Sequence, residues 1–514
     1  MPLNRHIEER IQNLGAAILQ EGRQSHSALQ KRREAFLDRL LAQPTLKTQL
    51  LRLVDVLPAL QDDRQLAEHV DLYLGSQTLT VPWPRLAHWG LHHARKGLAA
   101  HVLAAAARKI TRRMALHFIA GETLDQVEPV LQRLWRRGLY FSLDVLGEAS
   151  TGENAAVEFQ QSYLKLIPEL ARRIRSWPLQ TPGQSNRRLP NLHLSIKLSA
   201  LYSQLRPVDP DGSVAIIKSR LRTILSAARA ADACIIIDIE QFDYRAIILR
   251  VFQELLNEDE FRNFYGAGIA IQAYLQDAVE VVTKLIAWAK ARGTPVTIRL
   301  VRGAYWDYER AVAQQNSWLV PVWPTKAQTD KCYEQCLELL LANFPFVRTA
   351  IATHNLRSIC TGAALAEARG LSPADYEFQM LFGMANDYVR SLAARHFTVR
   401  VYTPFGPLLP GMAYFVRRLM ENASNESFLK HAGAEVAPDE ILAPAHPPRD
   451  NPAVYAAACP DSFANVAPRR FAIPEQHAAF AAILSRVQAA PPPVIHPIIG
   501  GEPATRHAVS LEFR

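Results

Sequence analysis

The chain has 514 residues, 49% of them hydrophobic and 21% charged, which is the composition of a folded globular protein and excludes a disordered or low-complexity chain. Its net charge of +9 comes partly from basic runs such as Lys31 to Arg39. We interpret these runs as solvated helix faces, because no nucleic-acid-binding signature accompanies them. The five cysteines form no CxxC pair, which argues against a disulfide framework and a zinc site and favours a reducing compartment.

The beginning of the chain is predicted to be helical. From Asn4 to about Arg113, apolar residues recur at three- and four-residue spacing, and strand-like alternation is nearly absent. The chain starts with a polar, charged segment, and no long uncharged apolar run occurs anywhere. We therefore expect a cytoplasmic protein that contacts the inner face of the membrane only peripherally, if at all.

After a helix start signal at Gly121 to Thr123, short β-branched or apolar runs alternate with longer helical stretches. Eight strands separated by helices predict an α/β fold, a closed parallel (β/α)₈ barrel of the TIM type. The predicted strands are Tyr140–Leu146, Leu192–Ser199, Cys234–Glu240, Gly268–Tyr274, Val296–Gly303, Thr349–Asn355, Tyr376–Phe382 and Val399–Phe405.

These patterns divide the chain into three expected regions. Residues 1–113 form an α-helical arm, residues 114–432 form the barrel, and residues 433–514 form a linker-like tail. The chain has 33 prolines against 23 glycines, and the excess is concentrated in the tail.

Polar residues lie at or just beyond the middle of every predicted strand. Catalytic groups in this fold lie at the carboxyl ends of the strands, and a ligand would satisfy buried polar groups there. Ion pairs inside the barrel are the alternative for any single residue, but the whole set favours a ligand site. The residues are Asp144, Glu148, Lys197, Asp238, Glu240, Gln272, Arg299, Arg302, Thr353, His354, Gln379 and Tyr402.

The segment after the last strand carries a second candidate feature. Tyr414, Arg417, Arg418 and Glu421 are spaced to lie on one side of a helix. Two adjacent guanidinium groups suit a carboxylate ligand, and the alternative is a surface pair bridged to Glu421. The sequence has no P-loop, Rossmann turn or HExxH motif, so an ATP-dependent or metal-dependent mechanism has weak support and no metal ligands are predicted.

Seven motifs resemble, in order, those of proline dehydrogenases. The resemblance is strongest to the proline dehydrogenase half of the bacterial bifunctional proline-utilisation flavoenzymes, covers about residues 114–430, and extends to their α-helical arm. The motifs are SIKLSAL (Ser195–Leu201), DIE (Asp238–Glu240), IQAY (Ile271–Tyr274), RLVRGAYWDYE (Arg299–Glu309), ATHN (Ala352–Asn355), YEFQMLFGM (Tyr376–Met384) and YFVRRLMENASNESF (Tyr414–Phe428).

The resemblance implies that FAD lies across the barrel mouth, with Asp238 and Arg299 as catalytic residues. Asp238 would be the acidic partner of Lys197 or Tyr402, and Glu148 would be a partner of the helix arginines. The implied substrate-binding residues are Lys197, Leu381, Tyr402, Tyr414, Arg417 and Arg418. The implied cofactor-binding residues are Asp238, Ile239, Gln272, Arg299, Val301, Arg302, Gly303, Ala304, Trp306, Thr353, His354, Glu421 and Phe428.

The implied reaction is oxidation of L-proline to 1-pyrroline-5-carboxylate. A hydride would pass from C5 of proline to N5 of the flavin, and the electrons would continue to a membrane quinone. Arg302 stands where the family usually has lysine, which keeps the charge but changes the shape. Two alternatives stay open: a non-catalytic flavin-binding or scaffolding relic of a bifunctional enzyme, and an enzyme that prefers hydroxyproline.

The end of the chain resembles the linker and entrance that lead into an aldehyde dehydrogenase domain. This resemblance is carried by the segment from His496 to Phe513. We expect the tail to be a remnant of that entrance. A separate 1-pyrroline-5-carboxylate dehydrogenase would then be the downstream partner.

Overall fold

A computed structural model describes most of the barrel and parts of the flanking regions. No helix within the described residues is both long enough and apolar enough to cross a membrane. The described residues are 5–25, 45, 48–49, 52–53, 56–60, 62–75, 98–147, 150–178, 192–407, 411, 414, 417–418, 438–445, 466–490, 498–499 and 502–503.

Most of the described residues of the N-terminal region are helical, as predicted. Its helices are α1 (Arg5–Ser25), α2 (Asp63–Val70) and α3 (Leu98–Phe118). A 3₁₀ turn spans Leu57–Ala59 and a π turn spans Asp71–Gly75. Helices α2 and α3 enclose a small apolar cluster of their own, whereas α1 packs on the barrel.

Eight parallel strands close into a barrel in chain order, which confirms the predicted (β/α)₈ architecture. The strands are nearly continuous apolar runs, such as Ile235 to Ile237, because both of their faces are buried. They are β1 (Tyr140–Val145), β2 (Leu192–Lys197), β3 (Ala233–Asp238), β4 (Ala267–Gln272), β5 (Val296–Val301), β6 (Val347–Ala352), β7 (Glu377–Leu381) and β8 (Val399–Phe405).

Helices surround the barrel, and local sequence signals set several of their ends. Asp209 caps one helix, Thr325 and Gln328 form a capping box on another, and Gly293 ends a third with φ of 76°. These helices are α4 (Leu124–Arg136), α5 (Glu153–Arg175), α6 (Pro210–Ala230), α7 (Phe242–Asn257), α8 (Ala278–Arg292), α9 (Trp306–Gln315), α10 (Lys326–Leu341), α11 (Leu356–Ala368) and α12 (Asn386–Ala394). A 3₁₀ turn at Leu198–Ala200 follows β2 directly.

The C-terminal region is described in part, and two of its residues are buried against neighbouring helices. Residues 411, 414, 417 and 418 are helical. Further on are α13 (Pro438–Ile441), α14 (Pro474–Ala489) and a two-stranded sheet of β9 (Ile498–Ile499) and β10 (Glu502–Pro503). Leu442, just after α13, is buried against α1, and Arg470 is buried against α7 and α9 through ion pairs with Asp243 and Glu309.

Candidate functional site

The carboxyl ends of the strands bring most of the predicted site residues to one end of the barrel. Lys197, Asp238, Gln272, Val301 and Leu381 are the last residues of their strands. The register aligns Lys197 with Asp238, Gln272 with Val301, and Leu381 with Tyr402. Side chains that are far apart in the sequence therefore lie at similar levels around one opening.

Lys197 forms a buried ion pair with Asp144. Its Nζ lies 2.8 Å from Oδ1 and 3.0 Å from Oδ2 of Asp144. Burial opposes the charged ammonium, but the carboxylates of Asp144 and then Asp238 outweigh it and raise the pKa of Lys197. Burial raises the pKa of Asp144, against the attraction of the ammonium. The site therefore keeps a lysine cation across the ordinary pH range.

Arg299 lies at the centre of the opening and is only 3% exposed. Its Nη1 donates to Oδ1 of Asp238 at 2.6 Å, and its Nε donates to Oε1 of Gln379 at 2.7 Å. Its Nη2 donates to Oγ of Ser195 at 2.9 Å and to Oγ of Ser142 at 3.3 Å. Four side chains thus fix the guanidinium, and one of them is a carboxylate.

Asp238 also accepts a hydrogen bond from Tyr402, whose hydroxyl lies 2.9 Å from Oδ2. Burial raises the pKa of Tyr402 well above its ordinary value, and Asp144 and Asp238 add to this effect. Tyr402 therefore stays protonated and donates. The guanidinium of Arg299 lies 5.1 Å from the centre of the Tyr402 ring. Of the two partners expected for Asp238, the structure shows contact with Tyr402, while Lys197 pairs with Asp144.

The side-chain oxygen of Gln272 is a hydrogen-bond acceptor that has no donor among the described residues. The amide nitrogen of Gln272 donates to the backbone carbonyls of Ile239 at 3.1 Å and Glu240 at 2.8 Å. Its Oε1 is buried and has no hydrogen-bond partner among the described residues. A buried acceptor without a donor is costly, so this atom marks a place where a ligand donor fits.

A tight turn after β5 forms the neighbouring wall. Gly303 has φ of 122°, and a Cβ atom at this position would lie 2.6 Å from the ring of Tyr274. Ala304 is exposed, and Trp306 begins α9 and donates through Nε1 to the carbonyl of Trp323 at 2.8 Å. Only glycine fits this backbone, which brings main-chain atoms to the opening without a side chain.

Arg302 is held beside this turn by polar groups of other elements. Its Nε lies 2.7 Å from Oδ1 of Asp330, its Nη2 lies 2.8 Å from Oγ of Ser358, and its Nη1 donates to Thr353. The guanidinium carbon also lies 4.6 Å from the centre of the Tyr333 ring. A planar guanidinium can make these contacts in several directions at once, which a lysine ammonium cannot reproduce.

Thr353 and His354 follow β6 and line the same opening. Nε2 of His354 accepts a hydrogen bond from the backbone nitrogen of Leu381 at 3.1 Å, which ties the ends of β6 and β7 together. An Nε2 atom that accepts carries no proton, so the ring has its proton on Nδ1 when neutral.

The helical residues after β8 bring the arginine pair to this end of the barrel. The guanidinium of Arg417 lies 5.5 Å from the centre of the Tyr305 ring, and that of Arg418 lies 5.2 Å from the Tyr414 ring. Tyr414 is buried. Three further residues predicted for the site, Glu148, Glu421 and Phe428, lie outside the described residues.

The structure adds several residues to the site that the sequence did not assign to it. Ser142 and Ser195 contact Arg299. Ser142 lies two positions before Asp144 on β1, and Ser195 lies two positions before Lys197 on β2. This period-two spacing places them on the same inward face and was the available signal. Asp330 and Tyr333 lie on α10, and their spacing in the sequence gave no indication of their contact with Arg302.

The assembled opening combines positive charge, buried donors and one unsatisfied acceptor. Arg299 is a buried cation, and Lys197, Arg302, Arg417 and Arg418 are half-buried around it. Within the described ranges, no group of three or more His, Cys, Asp or Glu side chains is placed to hold a metal ion. Such a site suits an anionic ligand and a neighbouring group with N–H donors.

Two family models match the chain. The model described as proline dehydrogenase matches residues 127–431, which include all eight strands. The model described as the proline utilization A N-terminal domain matches residues 8–118.

Curated relatives and a solved structure are similar to overlapping parts of the chain. The bifunctional protein PutA of Klebsiella aerogenes is 32% identical over 341 residues, covering 65% of this chain and 25% of the relative. Proline dehydrogenase 1 of Bacillus subtilis (strain 168) is 29% identical over 319 residues, covering 62% of this chain and 90% of the relative. A crystal structure of proline utilization A from Bdellovibrio bacteriovorus, inactivated by N-propargylglycine, matches with a TM-score of 0.87 and 33% identity, covering 97% of this chain and 50% of that one. The chain thus spans about a quarter of the curated bifunctional relative and half of the solved one.

Proposed function

Because the chain belongs to the proline dehydrogenase family, we propose that it oxidises L-proline to 1-pyrroline-5-carboxylate with bound FAD as the oxidant. The observation that carries this proposal is the buried Arg299, held by four side chains at the barrel opening beside the unsatisfied acceptor of Gln272. The electrons would then leave to a quinone.

The residues at the opening fit a flavin. The isoalloxazine ring has an N–H donor that suits the buried Oε1 of Gln272. Arg299 would lie against the ring, and the backbone at Ile239 would line it. Gly303 leaves room for the backbone to approach, so that Val301, Arg302, Gly303 and Ala304 would hold the remainder with Thr353 and His354. Trp306, Glu421 and Phe428 belong to the same proposed set.

Bound FAD supplies the hydride acceptor for C5 of proline. The task of Arg299 is to hold a fixed positive charge where negative charge develops during that transfer. Its burial makes this charge effective, since little water screens it. Asp238 orients the guanidinium through Nη1 without contacting its other two nitrogens.

The substrate carboxylate would be bound by Lys197, Arg417 and Arg418. Three cations around one small carboxylate fix the ring so that C5 points in one direction. Tyr402, Tyr414 and Leu381 would enclose the apolar part of the ring. The half-buried position of Arg417 and Arg418 supports this role, because partly desolvated guanidinium groups bind carboxylates more strongly than exposed ones.

The proline amine must lose a proton before hydride leaves C5. Asp238 already accepts from Arg299 through Oδ1 and from Tyr402 through Oδ2, so we assign it to holding these groups and not to removing that proton. Tyr402 has a raised pKa and is itself protonated. The nearby cations lower the pKa of the amine, and solvent then takes its proton.

An anaerobic flavin spectrum with and without L-proline tests the proposal. We expect the FAD-loaded protein to be yellow and to bleach when L-proline is added. Arg417→Ala and Arg418→Ala should each raise KM for proline by roughly tenfold to a hundredfold, the loss of a charge-assisted bidentate contact, while FAD stays bound. Arg348→Ala is the matched control, since Arg348 lies on β6 near the opposite end of the barrel.

The other hypotheses give different results in the same experiment. A flavin-binding relic would be yellow but would not bleach with any substrate. A hydroxyproline-preferring enzyme would bleach faster with hydroxyproline than with proline. A chain that stays colourless after incubation with FAD would contradict the proposal.

A further inference from the structure

A chain of polar contacts runs from the opening into the interior of the barrel. It begins at Arg299 and continues through Gln379 to Glu377 and Arg400. Gln379 and Arg299 are each 3% exposed and Arg400 is 1% exposed. We call these four residues the polar column. Barrel interiors are normally filled with apolar side chains, so a buried row of charges needs an explanation.

Opposite charges at its two ends orient the amide of Gln379. Its Oε1 accepts from Nε of Arg299 at 2.7 Å, and its Nε2 donates to Oε1 of Glu377 at 2.5 Å. If the amide were flipped, its NH₂ group would face the guanidinium and its oxygen would face the carboxylate, and both contacts would be repulsive. The amide therefore has one stable orientation, with its acceptor towards Arg299.

Glu377 is itself fixed from the other side. Arg400 contacts both of its carboxylate oxygens, with Nε to Oε1 at 2.9 Å and Nη2 to Oε2 at 2.9 Å. Nη1 of Arg400 also donates to the carbonyl of Phe141 on β1 at 2.9 Å. The far end of the polar column is thus anchored to the barrel wall, and the rigidity of this bidentate pair is passed to Gln379.

The other face of Arg299 is held more weakly. Its Nη2 contacts two hydroxyls, and the Oγ of Ser142 lies 2.8 Å from Nδ1 of His193. Hydroxyls rotate and carry no net charge, so they satisfy the guanidinium without setting its direction. Its direction is set by Asp238 at Nη1 and by Gln379 at Nε.

We propose that Gln379 is a positioning residue for the flavin reaction, anchored by Glu377 and Arg400 and acting through the orientation of Arg299. The inference rests on the proposed function, since it assumes that Arg299 lies beside FAD. Without the Nε contact, the guanidinium rotates about its bond to Asp238 and its charge moves away from the ring. The reduced flavin is then less stabilised, and hydride transfer slows.

Two substitutions of Gln379 separate positioning from packing. Gln379→Met keeps a similar length but removes the acceptor and the donor. We expect kcat for proline to fall on the order of tenfold to a hundredfold, KM and the Kd for FAD to change less than about threefold, and the flavin midpoint potential to become more negative. Gln379→Glu keeps the acceptor, and the introduced carboxyl shares one proton with Glu377, so activity and potential should be mostly restored.

Gln276→Met is the matched control. Gln276 follows β4 and donates to the carbonyls of Val320 at 3.1 Å and Val322 at 3.0 Å. It loses two hydrogen bonds on substitution but does not contact Arg299. Its kcat and midpoint potential should stay at the wild-type values. Thermal unfolding and circular dichroism show whether each variant is folded.

The outcomes are distinct. An unchanged kcat and potential in folded Gln379→Met would overturn the proposal, and so would equal losses in Gln379→Met and Gln379→Glu. If the wild type binds FAD but does not bleach with proline, the proposed function fails, while the difference in potential between variants still decides the role of Gln379. If no flavin binds, a crystal structure of Gln379→Met decides the geometry: an unmoved Arg299 guanidinium refutes it and a rotated one supports it.

Discussion

At the scale of single residues, the site depends on charges that would be unfavourable alone. Lys197 is a mostly buried ammonium whose side chain is 13% exposed, and it stays charged because of the carboxylates of Asp144 and Asp238. If one carboxylate is removed, the burial of the ammonium is no longer offset, and the charged form of Lys197 becomes less stable. The balance can be tested by neutralising Asp144, which contacts Lys197 directly but is not proposed to bind substrate.

We predict that Asp144→Asn makes proline binding depend on pH. In the wild type the raised pKa keeps Lys197 charged well above pH 9, so KM should show no titration of this group between pH 7 and 9. In the variant, burial lowers the pKa of Lys197, and KM should rise as pH increases, about tenfold per unit above the new pKa. Steady-state kinetics of the variant and the wild type across this range measure the difference. The amine of free proline titrates identically in both experiments, so it does not contribute to that difference.

Glu254→Gln is the control for this prediction. Glu254 lies 2.9 Å from Nζ of Lys218 on the outer helices, so its loss also breaks a lysine–carboxylate pair, but away from the opening. Its KM profile should match that of the wild type. A flat profile in folded Asp144→Asn would show that Lys197 does not bind the substrate in its charged form, or that Asp238 alone keeps it charged.

The sequence could indicate which residues face the opening but not how they pair. Alternation along β2 places Ser195 and Lys197 on one face, because side chains in a strand repeat every two residues. Lys197 lies between Asp144 on β1 and Asp238 on β3. The strand register does not determine the side-chain rotamers, so it does not predict which of the two carboxylates pairs with Lys197. The contact of Arg302 with Asp330 depends on how α10 packs outside the barrel, which no spacing predicts.

At the scale of elements, the turn after β5 gives a prediction about Gly303. Gly303→Ala places a Cβ at φ of 122° and 2.6 Å from the ring of the buried Tyr274. We expect a loss of roughly 2 to 4 kcal/mol in unfolding free energy and about tenfold weaker FAD binding, because the clash moves the backbone that lines the cofactor. Chemical denaturation and flavin titration measure the two effects.

Gly293→Ala separates the clash from backbone strain alone. Gly293 also has positive φ, 76°, at the end of α8, but a Cβ there would meet nothing within 4 Å. Gly293→Ala should lower the unfolding free energy by only about 1 kcal/mol and leave FAD binding unchanged. Equal effects of the two substitutions would mean that the close approach of Gly303 to Tyr274 is unimportant.

The strands were predictable as elements, while their ends were less so. Buried parallel strands are continuous apolar runs, so all eight were found, and β8 was predicted with the bounds it has in the structure. Predicted strands such as Val296–Gly303 extended beyond the observed Val296–Val301, and the two extra residues, Arg302 and Gly303, lie in the turn that faces the opening. Strand pairing ends where the backbone turns towards the site, and hydrophobicity does not record that point.

At the scale of the whole molecule, helix α1 is attached to the barrel by both apolar and ionic contacts. Its buried residues Ile11, Leu14 and Ile18 join the main core, and it packs on α11 and α12. The buried Arg357 binds Glu8 at 2.8 Å and the carbonyl of Leu442 at 2.6 Å, so one residue of α11 holds both α1 and the segment after α13. The arm and the barrel are therefore coupled at a defined surface.

The acid response of α1 tests this coupling through Glu21. Hydrogen bonds from Arg395 and then Ser391 lower the pKa of Glu21 from 4.5 to about 2, so its contribution is present above pH 4.5 and is lost as pH falls towards 2. Because Glu21 is half exposed, we expect Glu21→Gln to weaken the protection of α1 by only about 0.5 to 1 kcal/mol at pH 7. Hydrogen exchange of α1 peptides should show the difference in protection between Glu21→Gln and the wild type shrinking below pH 4. Glu9→Gln is the control, because Glu9 pairs with Arg5 on α1 itself. It should differ little from the wild type at any pH. A difference that persists unchanged down to pH 3 would mean that Glu21 does not anchor α1 through its charge.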